Sequence, residues 1–437
     1  MASLINVLKK EISHFFVAAL MVSLAGVRFV QVNVKIANVN SQSEQTERSM
    51  SELSEKNASD SLNRHVPRNF REILPFLIII TLIFSVLHFF IIWIQSSSFA
   101  IGPWQWWMLL LYVFGLLSMP ASFVVSMRSP RGRNHWFTWI GFVWMGFFQI
   151  NFFLCLSFFV ISIFTDQILY LAPWLFCVSL FLAILALIQG LRDPAIKQYQ
   201  IKAPTAISGF KIVQLSDVHL GMLYLDKKWL LRQIERVQNL NADVVVITGD
   251  LVEGAFAQVS EFVRELEKLQ APVRLYVTGN HEYIHGGEVW PDLMTKLGWQ
   301  VLHNSSVRVP YKNGEILFAG VPDRMGPRFD PKIKSLPDVA LHTKQAVDYK
   351  ILLAHEPASV WDCKLEKPDM ILSGHTHGGQ IFPFGMFVRM VQPVVSHWKV
   401  ISGIKVYAHE GTGFWGPPMR LGTRSEIAVI ELKDSAK

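Results

Sequence analysis

Four stretches, Leu74–Ile94, Trp104–Ser126, Trp139–Phe164 and Ala172–Gly190, contain no Asp, Glu, Lys or Arg and a single His, His88. A helix that crosses a bilayer needs about 20 mostly apolar residues, and each stretch meets that length. One such run can be a buried helix of a soluble protein, but four in succession argue for a membrane bundle. Trp104, Trp106, Trp107, Trp136, Trp139 and Trp174 sit at the ends of the runs, where interfacial aromatics belong. The chain is 51% hydrophobic and 17% charged, and this imbalance falls almost wholly before residue 191. Gln149 and Asn151 lie inside the third run, and interhelical hydrogen bonding is their expected role.

The charges flank the apolar runs. The formal net charge of +7 is therefore read as membrane topology, and no nucleic-acid partner is expected. The loop before the first run carries Lys35, Arg48, Lys56, Arg64, Arg68 and Arg71, and the loop after the second carries Arg128, Arg131 and Arg133. Arg192, Lys197 and Lys202 follow the fourth run. The earlier segment Phe15–Val30 reads either as a signal peptide or as a fifth span, and the charge distribution favours the span. The positive-inside rule then sets the C-terminal half in the cytoplasm. The expected organisation is an N-terminal apolar segment (1–30), a polar and disordered loop (31–73), four transmembrane helices (74–190), a linker (191–209) and a catalytic domain (210–432). Three cysteines, two of them in apolar runs, exclude a disulfide framework.

From Phe210 the pattern changes. Lys211–Leu215, Asp243–Thr248, Val273–Val277, Lys350–Leu353 and Met370–Leu372 are short runs rich in Val, Ile and Leu, as buried strands are. Trp229, Leu230, Ile234, Val237 and Leu240 make one helical stripe between them; Val259, Phe262, Val263, Leu266 and Leu269 make another. This predicts a layered α/β architecture. Each strand is followed by polar residues: Asp217-Val218-His219, Gly249-Asp250, Gly279-Asn280-His281, His355, and Gly374-His375-Thr376-His377-Gly378-Gly379. Ligands of α/β sheets gather beyond the carboxyl ends of strands. Singly these motifs are weak, because Asp-x-His and Gly-Asp occur by chance. Five in order, each at a strand end, are a strong signal for one polar rim.

Residues 210–432 resemble the calcineurin-like metallophosphoesterases, with Asp-x-His, Gly-Asp, Gly-Asn-His-Glu, His and Gly-His-Thr-His present in the family's order. They are most similar to the membrane-tethered branch, the transmembrane proteins with a metallophosphoesterase domain. That match is carried by Gly378-Gly379-Gln380-Ile381-Phe382-Pro383 and the run Gly416–Glu426. Glu410 before Gly411 is less usual for that branch. The resemblance implies a layered β-sandwich flanked by helices and a site for two divalent metal ions. One ion would be held by Asp217, His219, Asp250 and His377, and the second by Asp250, Asn280, His355 and His375. A carboxylate has two oxygens, so Asp250 can bridge two cations, and mixed imidazole and oxygen donors suit Mn, Fe or Zn. His281 is left outside both sets and is expected to protonate the leaving oxygen.

The implied activity is hydrolysis of a phosphate ester or pyrophosphate, with a lipid-linked substrate among the candidates. The alternatives are a membrane scaffold and a transporter-associated regulatory module. The segment Ile381–Trp398 has one fixed charge, Arg389, amid eleven aliphatic and aromatic side chains. It reads either as ordinary core or as an apolar lip beside the site that meets the bilayer or an acyl chain.

Overall fold

The computed structural model describes residues 70–96, 103–128 and 136–434. The segment Phe15–Val30, the polar stretch 31–69 and the connections 97–102 and 129–135 lie outside the described residues. Four helices, α1 (Phe70–Ser96), α2 (Pro103–Arg128), α3 (Trp136–Ser162) and α4 (Trp174–Gly190), coincide with the four apolar runs. Among the described residues, Ile78–Ser96 and Trp136–Ser162 are long and apolar enough to cross a membrane, and α4 is apolar but shorter, at 17 residues. The outer faces of the helices keep large apolar side chains uncovered, Phe89 at 69% exposure and Trp107 at 73%. A helix in water would turn such residues inward.

Inside the bundle a polar knot ties all four helices together. The Gln95 amide of α1 and the Ser179 hydroxyl of α4 both donate to Asn151 Oδ1 of α3, each at 2.8 Å. Asn151 in turn donates to the Tyr112 hydroxyl of α2, which donates back to Gln95 Oε1 at 3.0 Å. Asn151 thus plays the interhelical role expected of it. Gln149 does something else: its amide donates at 3.0 Å to the main-chain carbonyl of Ile381, in the α/β half.

Twelve strands follow: β1 (Ala195–Ala203), β2 (Lys211–Leu215), β3 (Val244–Thr248), β4 (Val273–Val277), β5 (Gln300–Val301), β6 (Ser305–Tyr311), β7 (Gly314–Gly320), β8 (Tyr349–Leu353), β9 (Met370–Ser373), β10 (His397–Ile401), β11 (Ile404–Ala408) and β12 (Glu426–Asp434). They form two six-stranded mixed sheets, ordered β1-β12-β2-β3-β4-β5 and β10-β11-β9-β8-β7-β6. Residues 191–209, read from the sequence as a linker, contain β1, which pairs in parallel with β12 along its full length.

Side-chain alternation explains the layering. In β3, Val244 and Val246 face the core shared with Ile351, Leu353, Met370 and Leu372 of the second sheet. Val245 and Ile247 face the opposite core, with Trp229, Leu230, Ile234 and Val237 of the helix Lys227–Gln238. Both faces are covered, so the strand is apolar at every position.

The two halves interlock. Ile381 and Met419 of the α/β half are buried in the same cluster as Phe147, Ile150 and Ala186 of the helices. The Arg420 N–H donates to Ala186 O and the Tyr224 hydroxyl to Gly190 O, both at 2.9 Å. Gly190 lies against the Pro418 main chain, and any side chain there would collide with it.

Asn151→Ala removes the centre of the polar knot, leaving the buried Ser179 hydroxyl without its acceptor and the Gln95 amide with only the Cys155 sulfur, at 3.7 Å. The expected loss is on the order of 2 kcal/mol, read as a lower melting temperature of the purified chain. Gln149→Ala breaks one bond and should cost less. Equal melting temperatures for Asn151→Ala and the unaltered chain would refute the knot's structural role.

Candidate metal centre

Parallel strands deliver their carboxyl ends to one edge. β2, β3 and β4 run parallel in the first sheet, and β7, β8 and β9 do so in the second. Packed face to face, the sheets bring Asp217, His219, Asp250 and Asn280 against His355, His375 and His377. Gln214 of β2 reaches across the interface, donating to Ser373 O of β9 at 3.1 Å and to Thr248 Oγ1 of β3 at 2.8 Å. The loops then lash together: Asp217 N donates to Gly249 O at 3.0 Å, His219 N to Asp250 O at 3.1 Å, and His375 N to Asp217 Oδ1 at 2.9 Å.

Two side-chain groups result. In the first, His219 Nε2 and His377 Nε2 stand 3.1 Å apart, with Asp217 Oδ1 3.3 Å from His377 Nε2. In the second, His375 Nδ1 is 3.3 Å from His355 Nε2 and 3.1 Å from Asn280 Oδ1. Asp250 Oδ2 lies between the groups, 3.9 Å from His219 Nε2 and 3.1 Å from His355 Nε2. The donor atoms of Asp217, His219 and His377, and likewise those of Asp250, His355 and His375, lie within 4.8 Å of one another, close enough for each set to hold one cation. Imidazole nitrogens facing each other at hydrogen-bond distance can share at most one proton, so the donor set suits a cation better than an internal hydrogen-bond network.

The backbone bears the cost of this crowding. Asp217, His219, Asp250, His375 and His377 all have positive φ, between 49° and 68°. A non-glycine residue pays a steric penalty there, and such outliers gather at functional sites. Gly279 and Gly374 allow the close approach, since a side chain at either would strike the carboxylate of Asp250 or Asp217 respectively.

Burial works against a charged His355, but Asp250 raises its pKa well above the ordinary value, so a cation at this position competes with that proton. Burial works against a charged Asp250, but His355 and His281 outweigh it and hold its carboxyl well below the usual range. For His377, burial and the neighbouring His219 and Arg420 both lower the pKa well below the ordinary value, which keeps the ring neutral and able to ligate.

A second layer orients these groups. Glu253 accepts from His219 Nδ1 at 3.1 Å, which leaves His219 Nε2 facing the cluster, and pairs with His281 Nδ1 at 2.7 Å and His285 Nε2 at 3.1 Å. His355 Nδ1 donates to Thr248 O at 2.7 Å with the same effect. Burial would lower the His281 pKa, but Glu253 and Asp250 raise it to about 9. His281 Nε2 stands 4.0 Å from Asp250 Oδ2, and His281 also has a donor atom within 4.8 Å of those of His219 and Asp250, and of those of Glu253 and His285. Glu282 accepts from the N–H groups of Gly279 (2.6 Å), Asp250 (3.0 Å) and Leu251 (2.7 Å) and so braces the β3 and β4 loops together. Buried Arg420 donates to the carbonyls of His377, Glu410 and Gly413, at 2.8, 2.6 and 2.7 Å.

Sequence reasoning singled out Asp217, His219, Asp250, Asn280, His281, His355, His375 and His377, and the structure brings all eight to one rim. It assigned no role to Glu253, Glu282 or Arg420. Glu253 left a signal, a carboxylate three residues after Asp250 in a strand-end loop. Arg420 left none, because it acts through main-chain carbonyls distant in sequence. Glu410, noted only as unusual, pairs with Lys197 of β1 at 2.8 Å, as does Glu426, and so fastens the edge strand behind the site.

Residues 210–379 match the family described as calcineurin-like phosphoesterase. An uncharacterised metallophosphoesterase of Helicobacter pylori is 36% identical over 250 residues, 56% of this chain and 65% of the relative, so the chain spans slightly less than two thirds of that protein's length. One from Campylobacter jejuni is 34% identical over 267 residues, 59% of this chain and 68% of the relative. A protein of Danio rerio named transmembrane protein with metallophosphoesterase domain is 32% identical over 275 residues, 59% of this chain and 62% of the relative. With the five strand-end motifs gathered on one rim and relatives of this closeness, the chain belongs to the calcineurin-like metallophosphoesterase family.

Proposed function

We propose that this protein is a membrane-anchored, two-metal phosphoesterase that hydrolyses a phosphate ester or pyrophosphate. The observation that carries this reading is the pair of donor groups flanking Asp250. In this reading Asp217, His219, Asp250 and His377 hold one ion, and Asp250, Asn280, His355 and His375 the other. Mn, Fe or Zn fits such mixed donors. When bound, two such ions supply positive charge for the phosphoryl oxygens and acidify a water to hydroxide.

The chain's own residues do the rest. Glu253 and the Thr248 carbonyl hold the rings of His219 and His355 in the tautomer that turns Nε2 to the centre. His281, kept protonated by Glu253, donates to the oxygen that leaves phosphorus. Glu282 keeps Asp250 and Asn280 in register by fixing the main chain on either side of them.

The helices α1–α4 serve as the anchor in this reading, supported by their uncovered apolar faces and by the name of the Danio rerio relative. Five spans, counting Phe15–Val30, with the α/β half in the cytoplasm, follow from the flanking positive charges. A lipid-linked substrate is favoured by the segment after His377. Ile381, Val394 and Val395 are buried, but Phe382, Phe384, Met386, Met390 and Val391 are exposed, and Phe387 rests on Phe153 of α3 with ring centres 5.7 Å apart. The segment is part core and part lip, and the lip faces out beside the helices. Anchoring there raises the effective concentration of membrane-borne substrates.

Asp250→Asn should empty both metal positions, and metal analysis of the purified chain should fall from about two ions toward none. Full metal content in that variant would overturn the bridging role. His281→Ala should keep its metal while turnover drops on the order of 10²–10⁴-fold, with a smaller drop on nitrophenyl esters, whose leaving group needs little protonation. A uniform drop across leaving groups would exclude His281 as the acid. Phe384→Asp with Met390→Asp should lower hydrolysis of a lipid-linked substrate and spare a small soluble phosphodiester; equal losses on both would eliminate the lip.

A further inference from the structure

The end of α4 and the loop before β12 line an open cavity of about 580 Å³, with Arg420 in its wall. Its walls divide by chemistry. Leu185 and Ile188 of α4 form an apolar side, and Arg192, Lys197 and Arg424 a basic one, with Glu410 among them. The charge of Lys197 is already matched, since Glu410 and Glu426 each stand 2.8 Å from its ammonium. Arg192 and Arg424 are exposed, and neither guanidinium forms an ion pair among the described residues. Arg192 donates only to Gln189 Oε1, at 3.2 Å. The cavity therefore offers two uncompensated guanidinium groups, each a planar fork matched to phosphate oxygens.

The approach to the cavity is equally specific. Phe181, Leu185 and Ile188 follow one another at spacings of four and three residues, so they share one face of α4, and they are 60%, 43% and 49% exposed. Arg192 continues the same line just past the helix end. Of the last carbonyls of α4, Leu187 O accepts from the Leu191 N–H and Gly190 O from the Tyr224 hydroxyl. An apolar stripe that ends in two unpaired arginines has the shape of a phospholipid: an acyl chain, then an anionic phosphate.

We propose that this cavity binds the phosphate of an anionic glycerophospholipid between Arg192 and Arg424, with an acyl chain along Phe181, Leu185 and Ile188. The proposal rests on the reading that α4 lies in the bilayer. Such a lipid clamps the α/β half against the membrane at a point separate from the metal centre, and Arg420, in the cavity wall, bonds the His377 carbonyl.

The test uses the full chain, purified in uncharged detergent and examined by native mass spectrometry with phosphatidylglycerol, phosphatidylcholine or glycerol 3-phosphate. Phosphatidylglycerol should be retained over both others. R192Q with R424Q should weaken its retention on the order of tenfold, and R192K with R424K, which keeps the charge and loses the fork, should recover only part of it. Ile188→Asn, on the apolar wall, should weaken phosphatidylglycerol retention without changing that of glycerol 3-phosphate. Equal retention of the two lipids, or retention unaffected by loss of both arginines, would overturn the proposal. Glycerol 3-phosphate held as tightly as phosphatidylglycerol would replace the lipid with a soluble phosphate ester. Alkaline carbonate washing of membranes separates the two levels: release of the unaltered chain defeats the membrane reading itself, whereas firm retention with no arginine dependence defeats only the lipid site.

Discussion

A buried carboxylate must be compensated, and much of the α/β half is arranged around one, that of Asp250. It leaves the end of β3 in a left-handed conformation, with a φ of 52°. Its oxygen Oδ2 points between the two imidazole groups, and its main-chain N–H is held by Glu282. Removing a carboxylate from water is costly unless charges or hydrogen bonds replace the lost hydration. Here the replacement comes from three histidines and from whatever cations the site holds. The strained loops, the glycines beside them and the second layer of Glu253 and Glu282 all serve that compensation.

The sandwich makes the arrangement possible. No single strand end can assemble seven donors, because adjacent strands are roughly 5 Å apart and each supplies one or two side chains. Two parallel-stranded regions packed face to face double the number of strand ends at one rim. Gln214, bonded to both sheets, fixes their relative height where the donors must meet.

The helices are not a detached tether. Met419 and Ile381 are buried among helical side chains, while Arg420, the next residue after Met419, holds the carbonyl of His377. One short loop therefore contacts both the helical bundle and the metal rim. The same loop contributes Arg424 to the cavity beside α4, so that contact with the helices and site geometry share a few consecutive residues.

The sequence alone determined the apolar runs, the five buried strands of the catalytic rim and the order of their polar ends, since periodicity and local chemistry are written in neighbouring residues. β2 and β4 begin and end where the pattern of Val, Ile and Leu places them, and every candidate donor belongs to the rim. Seven further strands were not legible. β1 alternates half-buried and exposed residues, but it turns Lys197 inward and Ile196 outward; β10 buries only Ile401, and β5 is two residues long. Their pairing depends on partners far along the chain, as β1 depends on β12. Tertiary structure alone decided that Gln149 bonds outside the bundle, that Glu253 serves three histidines at once, and that Arg420 both lines the cavity and bonds the His377 carbonyl. Each of these is a contact between segments remote in sequence, and hydrogen bonds to main-chain carbonyls leave no residue pattern from which they can be read.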